Sequence, residues 1–218
     1  MAHPEILLLS RVLQSIGANT VFVDVGANIG NLSIALARVV GPHSLVQSSE
    51  LQRIIFDVLT GSVALNCLLN VRCHNLALGD HESRVEISQY DYFSPMSFGS
   101  IEFGVEQKKP LVQPRGHDPA WIGHVALTTL DRFEFPRLDV LKIDDAGMEM
   151  DIFRGAQATI ARCRQVLFFE LLNVAKEALR TYLAGLDYIA ADAGGANYLA
   201  VPTKRAANLP SIERFLAG

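Results

Sequence analysis

A run of basic residues interleaved with aromatics is missing from this chain, and with it the phosphate-neutralising surface that a nucleic-acid partner requires. Nineteen lysines and arginines stand against twenty-three aspartates and glutamates, a formal charge of -4, so nucleic acid is not an expected partner. A long hydrophobic run is missing too. The apolar "ILLL" at residues 6–9 is far too short to cross a bilayer and lacks the charged flank and cleavage site of a secretory signal, so no membrane partner is expected and the expected address is the cytoplasm. Cysteine is scarce: Cys67, Cys73 and Cys163 lie in apolar segments, without the close pairing of a zinc site or a disulfide framework. They are expected to be reduced core residues. Internal repeats and low-complexity tracts are absent as well.

What is present is apolar. Half of the 218 residues are hydrophobic, enough for one well-buried core, and residues 1–218 read as a single domain. Ile6, Leu9, Leu13 and Ile16 recur at helical spacing, and "VFVDVG" then reads as a buried strand stopped by glycine. Further along, "NLSIALARVV" reads as a helix, "SLVQS" as a second strand, "ELQRIIFDVLTGSVALNCLL" as one long helix with a soft point at Gly61, and "VRCHNLAL" as a third strand. Alternation of strand and helix implies parallel pairing with right-handed crossovers, hence an α/β chain with a mostly parallel, doubly wound sheet.

Residues 81–137 break that pattern. Alternating strands such as "RVEIS" and "HVALTTL" flank a stretch rich in Gly, Pro, Ser and aromatics, which reads as a β-rich insertion of hairpins and loop. Within it, "YDYFSPMSFGSIEFG" would suit an adaptable wall for an acceptor. "LDVLKID" restores the buried strand, "MEMDIFRGAQATIARC" reads as one amphipathic helix, and "QVLFFE" is a strand closed by an acid.

In an open parallel sheet, ligands sit outside the carboxyl ends of the strands, and the first strand-to-helix turn is the usual cradle. That turn here is D-V-G-A-N-I-G, residues 24–30. Gly26 and Gly30 permit positive φ or close approach, and Asn28 tolerates left-handed geometry. Asparagine occupies the place where a dinucleotide fingerprint needs its second glycine, which disfavours a dehydrogenase reading. Glu50, twenty residues beyond Gly30, stands where a carboxylate accepts hydrogen bonds from both hydroxyls of an unphosphorylated ribose. An adenosine-like ligand without a pyrophosphate fits this pair of features.

The series "FVDVGANIG", "ALN", "LALGD", "TTLD", "LKIDDAGMEMDIFRGA" and "FFE", in this order over residues 20–172, resembles the FkbM family of S-adenosylmethionine-dependent methyltransferases. The resemblance implies a Rossmann-like fold, S-adenosylmethionine as cofactor, and O-methylation of a hydroxyl on a small molecule, a sugar or a secondary metabolite. It places cofactor binding on Asp24, Gly26, Ala27, Asn28, Gly30 and Glu50, with Leu76, Ala77 and the rest of the third-strand end to Asp80 lining the adenine. The family's fourth motif falls on Lys142, Asp144, Gly147 and Glu149, and Glu170 matches the acid closing the fifth strand. Two departures stand out: Ser49 and Leu51 replace the aromatic and proline that usually flank the ribose acid, and Asp145 and Ala146 replace a valine and a glutamate. A protein that keeps the fold and has lost catalysis is the alternative reading.

Methyl transfer asks mainly for positioning, and for a base if the acceptor is an alcohol. Asp144 is the first candidate, as base, as holder of the cofactor's ammonium, or as a helix cap; desolvation and its neighbour Asp145 are expected to raise its pKa. Glu170 could face Asp144 across the pocket floor. With Asn173 the two carboxylates would suit a divalent ion, although none is expected. His74 and His124 read as satisfied core or strand-end surface residues. Acceptor identity and oligomeric state are not written in the sequence.

Overall fold

The computed structural model describes residues 4–88, 122–145, 147–171 and 176–206, for Ser88, Ile122, Lys176 and Glu177 the backbone alone. Helix α1 (Pro4–Ile16) precedes the alternation β1 (Val21–Val25), α2 (Asn31–Val40), β2 (Leu45–Ser49), α3 (Arg53–Leu65) and β3 (Val71–His74). Three short strands follow: β4 (Leu76–Leu78), β5 (Ser83–Ser88) and β6 (Ile122–Thr128). The chain then returns through β7 (Val140–Ile143), α4 (Glu149–Arg154), α5 (Gln157–Cys163), β8 (Val166–Glu170), α6 (Lys176–Gly185), β9 (Tyr188–Gly194), β10 (Asn197–Pro202) and α7 (Thr203–Ala206).

The main sheet has seven strands in the order β3-β2-β1-β7-β8-β10-β9. The first five are parallel, and β10 runs antiparallel to both β8 and β9. Side chains of successive residues point to opposite faces, so strands covered on both sides must be apolar throughout. Phe22, Val140, Val166, Phe168, Leu199 and Val201 face Leu9, Leu13, Leu36 and Leu59 from α1 to α3. On the other face Val23, Leu141, Ile143, Leu167 and Phe169 pack on Ile152, Phe153, Ile160, Leu179 and Leu183 from α4 to α6.

The expected elements are found, with four corrections. The expected third strand divides: β3 stays in the main sheet, whereas β4 pairs in parallel with β6, which pairs antiparallel with β5, in a separate three-stranded sheet. Its core is Leu51, Ala77, Ile87, Val125 and Leu127. The long helix runs unbroken through Gly61, but it begins at Arg53 rather than Glu50.

The amphipathic helix after β7 is two helices broken at Gly155. A β-carbon at Gly155 would collide with the carbonyl oxygen of Gly79, so this backbone is pressed against the end of β4. The free amides of α5 are capped from a distance: the Asp131 carboxylate accepts from Ala158 N at 2.9 Å and Thr159 N at 2.7 Å, while Asp131 N donates to Gly155 O at 2.9 Å.

Cys67 is the fourth correction. It is exposed, at φ 52° in the turn that ends α3, while Cys73 and Cys163 are partly buried against the core. The central part of the insertion, with "YDYFSPMSFGSIEFG", and Asn173 lie outside the described residues.

Candidate active site

Turn 26–30 leaves β1 through three left-handed residues, Gly26 (φ 71°), Asn28 (φ 52°) and Gly30 (φ 93°). Gly26 is needed for an approach within the chain itself: a β-carbon there would strike the carbonyl oxygen of Asp144 at the end of β7. At Gly30 it would lie 2.7 Å from Leu59 Cδ1. These glycines let the turn, α3 and β7 close on one another. Asn28 Oδ1 accepts from Ile29 N at 2.8 Å, the local bond that makes left-handed asparagine tolerable.

Beneath the turn lies a buried charge network. Asp24 is fully buried, with Oδ1 3.0 Å from Lys142 Nζ and Oδ2 accepting from Ser33 Oγ at 2.5 Å. Lys142 also reaches Asp144 Oδ2 at 3.3 Å and donates to Val25 O at 3.2 Å and Gly26 O at 3.0 Å. Burial by itself lowers an ammonium's pKa, but here the two carboxylates outweigh it and hold the Lys142 pKa above its ordinary value. Asp24 is therefore the anchor of Lys142 rather than part of the cavity wall.

Glu50 closes the other side of the turn. Its Oε2 accepts from Asn28 N at 3.1 Å and its Oε1 from Gln52 N at 2.8 Å, while Asn75 Nδ2 donates to the Glu50 carbonyl at 2.9 Å. Burial raises the Glu50 pKa, and these amides partly offset the effect.

A cavity of about 620 Å³ opens above, lined by Glu5, Ile6, Gly26, Ala27, Asn28, Ile29, Lys142 and Asp144 among others. Of the candidate cofactor residues, Gly26, Ala27, Asn28 and Asp144 line it; Asp24, Gly30 and Glu50 support it from behind. Leu76 and Ala77 do not reach it: β4 has turned into the small sheet, where Ala77 is core.

Asp144 and Glu170 are brought together as expected, at the ends of the neighbouring strands β7 and β8. Partial burial, then a hydrogen bond and the negative charge from Asp144, then Glu5 and Glu149, push the Glu170 carboxyl up to about 7. The expectation for Asp144 is corrected in its surroundings: its side chain is 41% exposed and an ammonium stands 3.3 Å away. Desolvation acts instead on Asp145, only 6% exposed, which burial and repulsion from Glu50, Glu149 and Asp144 raise to about 8.

Glu5 was invisible to sequence reasoning, since nothing around it marks a helix before β1 as part of the site. The histidines lie elsewhere. His74 pairs with Gln47 Oε1 at 2.6 Å and packs edge-on against Phe133; His124 is exposed, 3.6 Å from Glu86. Among the described residues no group of three or more His, Cys, Asp or Glu could hold a metal, and no helix is long and apolar enough to cross a membrane.

A β3-β2-β1-β7-β8-β10-β9 sheet with its cavity over the first turn defines the Rossmann-like class I fold of S-adenosylmethionine-dependent methyltransferases. Solved structures agree. The methyltransferase FkbM from Methylobacillus flagellatus KT is 16% identical with a TM-score of 0.59, over 84% of this chain and 44% of that one. An rRNA methylase from Streptococcus thermophilus is 12% identical (TM-score 0.53, 92% and 95% covered), and the O-methyltransferase TomG from Streptomyces achromogenes, solved with S-adenosylmethionine, is 14% identical (0.53, 93% and 81%). At these identities the likeness is one of fold. No curated protein matches the sequence. The methyltransferase FkbM domain matches residues 24–190, and the chain belongs to that family. It spans less than half the length of the Methylobacillus protein.

Proposed function

We infer that the cavity at the ends of β1 and β7 holds S-adenosylmethionine, and that the chain methylates a hydroxyl of a small molecule, a sugar or a secondary metabolite, in the cytoplasm. The observation that carries this reading is the shared cavity: the left-handed turn 26–30 forms one wall, Asp144 stands on another, and Glu170 ends the strand beside it.

The residues fit the cofactor. About 620 Å³ lies within the range of small-molecule sites. Glu50 Oε2 accepts from Asn28 N and Oε1 from Gln52 N, and the two carboxylate oxygens together take about four hydrogen bonds, which leaves room for a ribose hydroxyl. Carboxylates at the β7 and β8 end complement the cationic methionine half. When bound, the cofactor supplies an electrophilic methyl group on a sulfonium. Asp144 and Glu170 take the acceptor's hydroxyl proton, and the turn and the Lys142 network hold the floor rigid beneath them. The insertion 81–137 is assigned to the acceptor side.

Calorimetry with S-adenosylmethionine, S-adenosylhomocysteine and NAD tests the cofactor, followed by methyl transfer to sugar and polyketide hydroxyls. Binding of both adenosyl compounds without NAD supports the reading. If neither binds at millimolar concentration the reading fails, and a protein that keeps the fold without catalysis takes its place.

A further inference from the structure

Strand β9, at the edge of the main sheet, is poor in the side chains a strand packs with: Ala190, Ala191, Ala193 and Gly194 make up four of its seven residues. Alanine fills little space. On the α1 face of the sheet a second cavity, of about 210 Å³, lies over Phe168 and beside Ala193. Its other wall is one stripe of α1: Pro4, Leu7, Leu8 and Arg11 recur at i, i+3, i+4 and i+7, and all four line it.

The lining is apolar apart from its two charged residues, Glu5 and Arg11. Leu7, at 48% exposure, leaves apolar surface there for an occupant to cover. Arg11 is exposed and has no hydrogen bond or ion pair among the described residues. An apolar hollow with a free guanidinium in its wall buries the body of a ligand and fixes its direction, because the ligand's anionic end pairs with the fork of donors.

Glu5 lines both this cavity and the larger one over turn 26–30, so the two adjoin at the first turn of α1. Arg11 stands roughly 9 Å further along the helix axis. A ligand held by its acid at Arg11 therefore turns its other end toward the cavity that Asp144 lines.

We propose that this second cavity is a binding subsite for an apolar carboxylic acid, its ring or chain over Phe168 and its carboxylate on Arg11. If methyl transfer takes place in the larger cavity, the occupant is the acceptor; that step rests on the function proposed above, and it narrows the acceptor to an apolar hydroxy acid with its acid and its hydroxyl at opposite ends. A sugar suits the lining poorly, since Pro4, Leu7, Leu8, Phe168 and Ala193 offer its hydroxyls no hydrogen-bonding side chain. An apolar cavity of about 150 Å³ holds a benzene ring, so this one takes a ring with a short chain.

The test uses the full chain and calorimetry with four probes: 3-phenylpropanoate, the uncharged 3-phenylpropanol of the same outline, glucuronate as an acid without an apolar body, and S-adenosylmethionine. Wild-type protein is expected to bind 3-phenylpropanoate about three- to tenfold more tightly than 3-phenylpropanol, and glucuronate not at all. Arg11 is exposed, so Arg11→Gln reads the charge without disturbing the core, and it should remove the preference for the acid over the alcohol. Ala193→Leu fills the cavity from the edge strand and should abolish binding of both, with melting temperature and S-adenosylmethionine affinity as in the wild type. Equal affinity for acid and alcohol, an acid that binds both variants as it binds the wild type, or no binding of 3-phenylpropanoate at millimolar concentration overturns the inference and leaves the cofactor reading standing. Wild-type protein that binds the acid but not S-adenosylmethionine keeps the subsite and overturns the cofactor reading, and the acceptor assignment with it.

Discussion

Asp144 and Glu170 stand at the carboxyl ends of adjacent parallel strands, each one residue beyond the register pair Ile143 and Phe169. Partial burial first, and then the neighbouring Asp144, push the Glu170 carboxyl up to about 7. As a base Glu170 works only once its own proton has left. Turnover is therefore expected to rise with pH through about 7 and to level above it, and Glu170→Gln to remove that inflection and lower the plateau. A pH–rate profile that is flat from 5.5 to 8.5 in the wild type would exclude the pair from proton transfer.

Asp144→Asn separates three roles on one variant. If Asp144 is the base, turnover falls about a hundredfold with cofactor affinity nearly intact. Weakened cofactor binding as the first effect marks a holder of the ammonium, and a lowered melting temperature with unchanged turnover marks a cap. We expect the first, because Asp144 lines the cavity at the end of β7, beside the end of β8.

Glu50→Ala should weaken S-adenosylmethionine binding by roughly 1.5–3 kcal/mol, the range for hydrogen bonds to a charged group. It also strips Asn28 N and Gln52 N of their acceptor, so a lower melting temperature should accompany it. Calorimetry that finds the affinity unchanged would remove Glu50 from the ribose site.

Asp145 works against the fold. Its pKa is about 8 in the folded protein against an ordinary 3.8, so between those pH values the folded state keeps a proton that the unfolded chain has released. Stability then falls as pH rises through this window and levels off above it. Asp145→Val should stabilise the protein by on the order of 3 kcal/mol at pH 7 and by almost nothing near pH 4. Thermal melts across that range check the sign; an equal gain at both pH values would show that packing, not ionisation, is responsible.

Lys142→Met leaves Asp24 fully buried without its cation. A loss of about 3–5 kcal/mol is expected, read as a large fall in the denaturant midpoint. Asp24→Asn together with Lys142→Met should recover part of it, since neither buried charge then remains.

How much was legible in the sequence follows the range of the interactions. The period of the apolar residues marked α1, α2 and the main strands, because a strand covered on both faces must be apolar at successive positions. The left-handed Asn28 and the strand-end positions of Glu50, Asp144 and Glu170 were likewise local features. Spacing alone could bring Asp144 and Glu170 to neighbouring places, since β7 and β8 are joined by one crossover and pair in parallel.

Only the tertiary structure decided the rest. Local pattern carries a helix through Gly155; the backbone of Gly79 and the distant carboxylate of Asp131 break it there. Leu76 and Ala77, expected to line the adenine, stand outside the cavity lining because β4 pairs with β6, far along the chain. Which acid is desolvated depends on what surrounds it: Asp145 points into apolar burial and other carboxylates, while Asp144 next to it meets water and an ammonium. Glu5 entered the site for the same reason, through a hydrogen bond to a residue 192 positions away. Periodicity records which face of an element is buried, whereas contacts between elements depend on where each one docks, and that is a property of the folded chain as a whole.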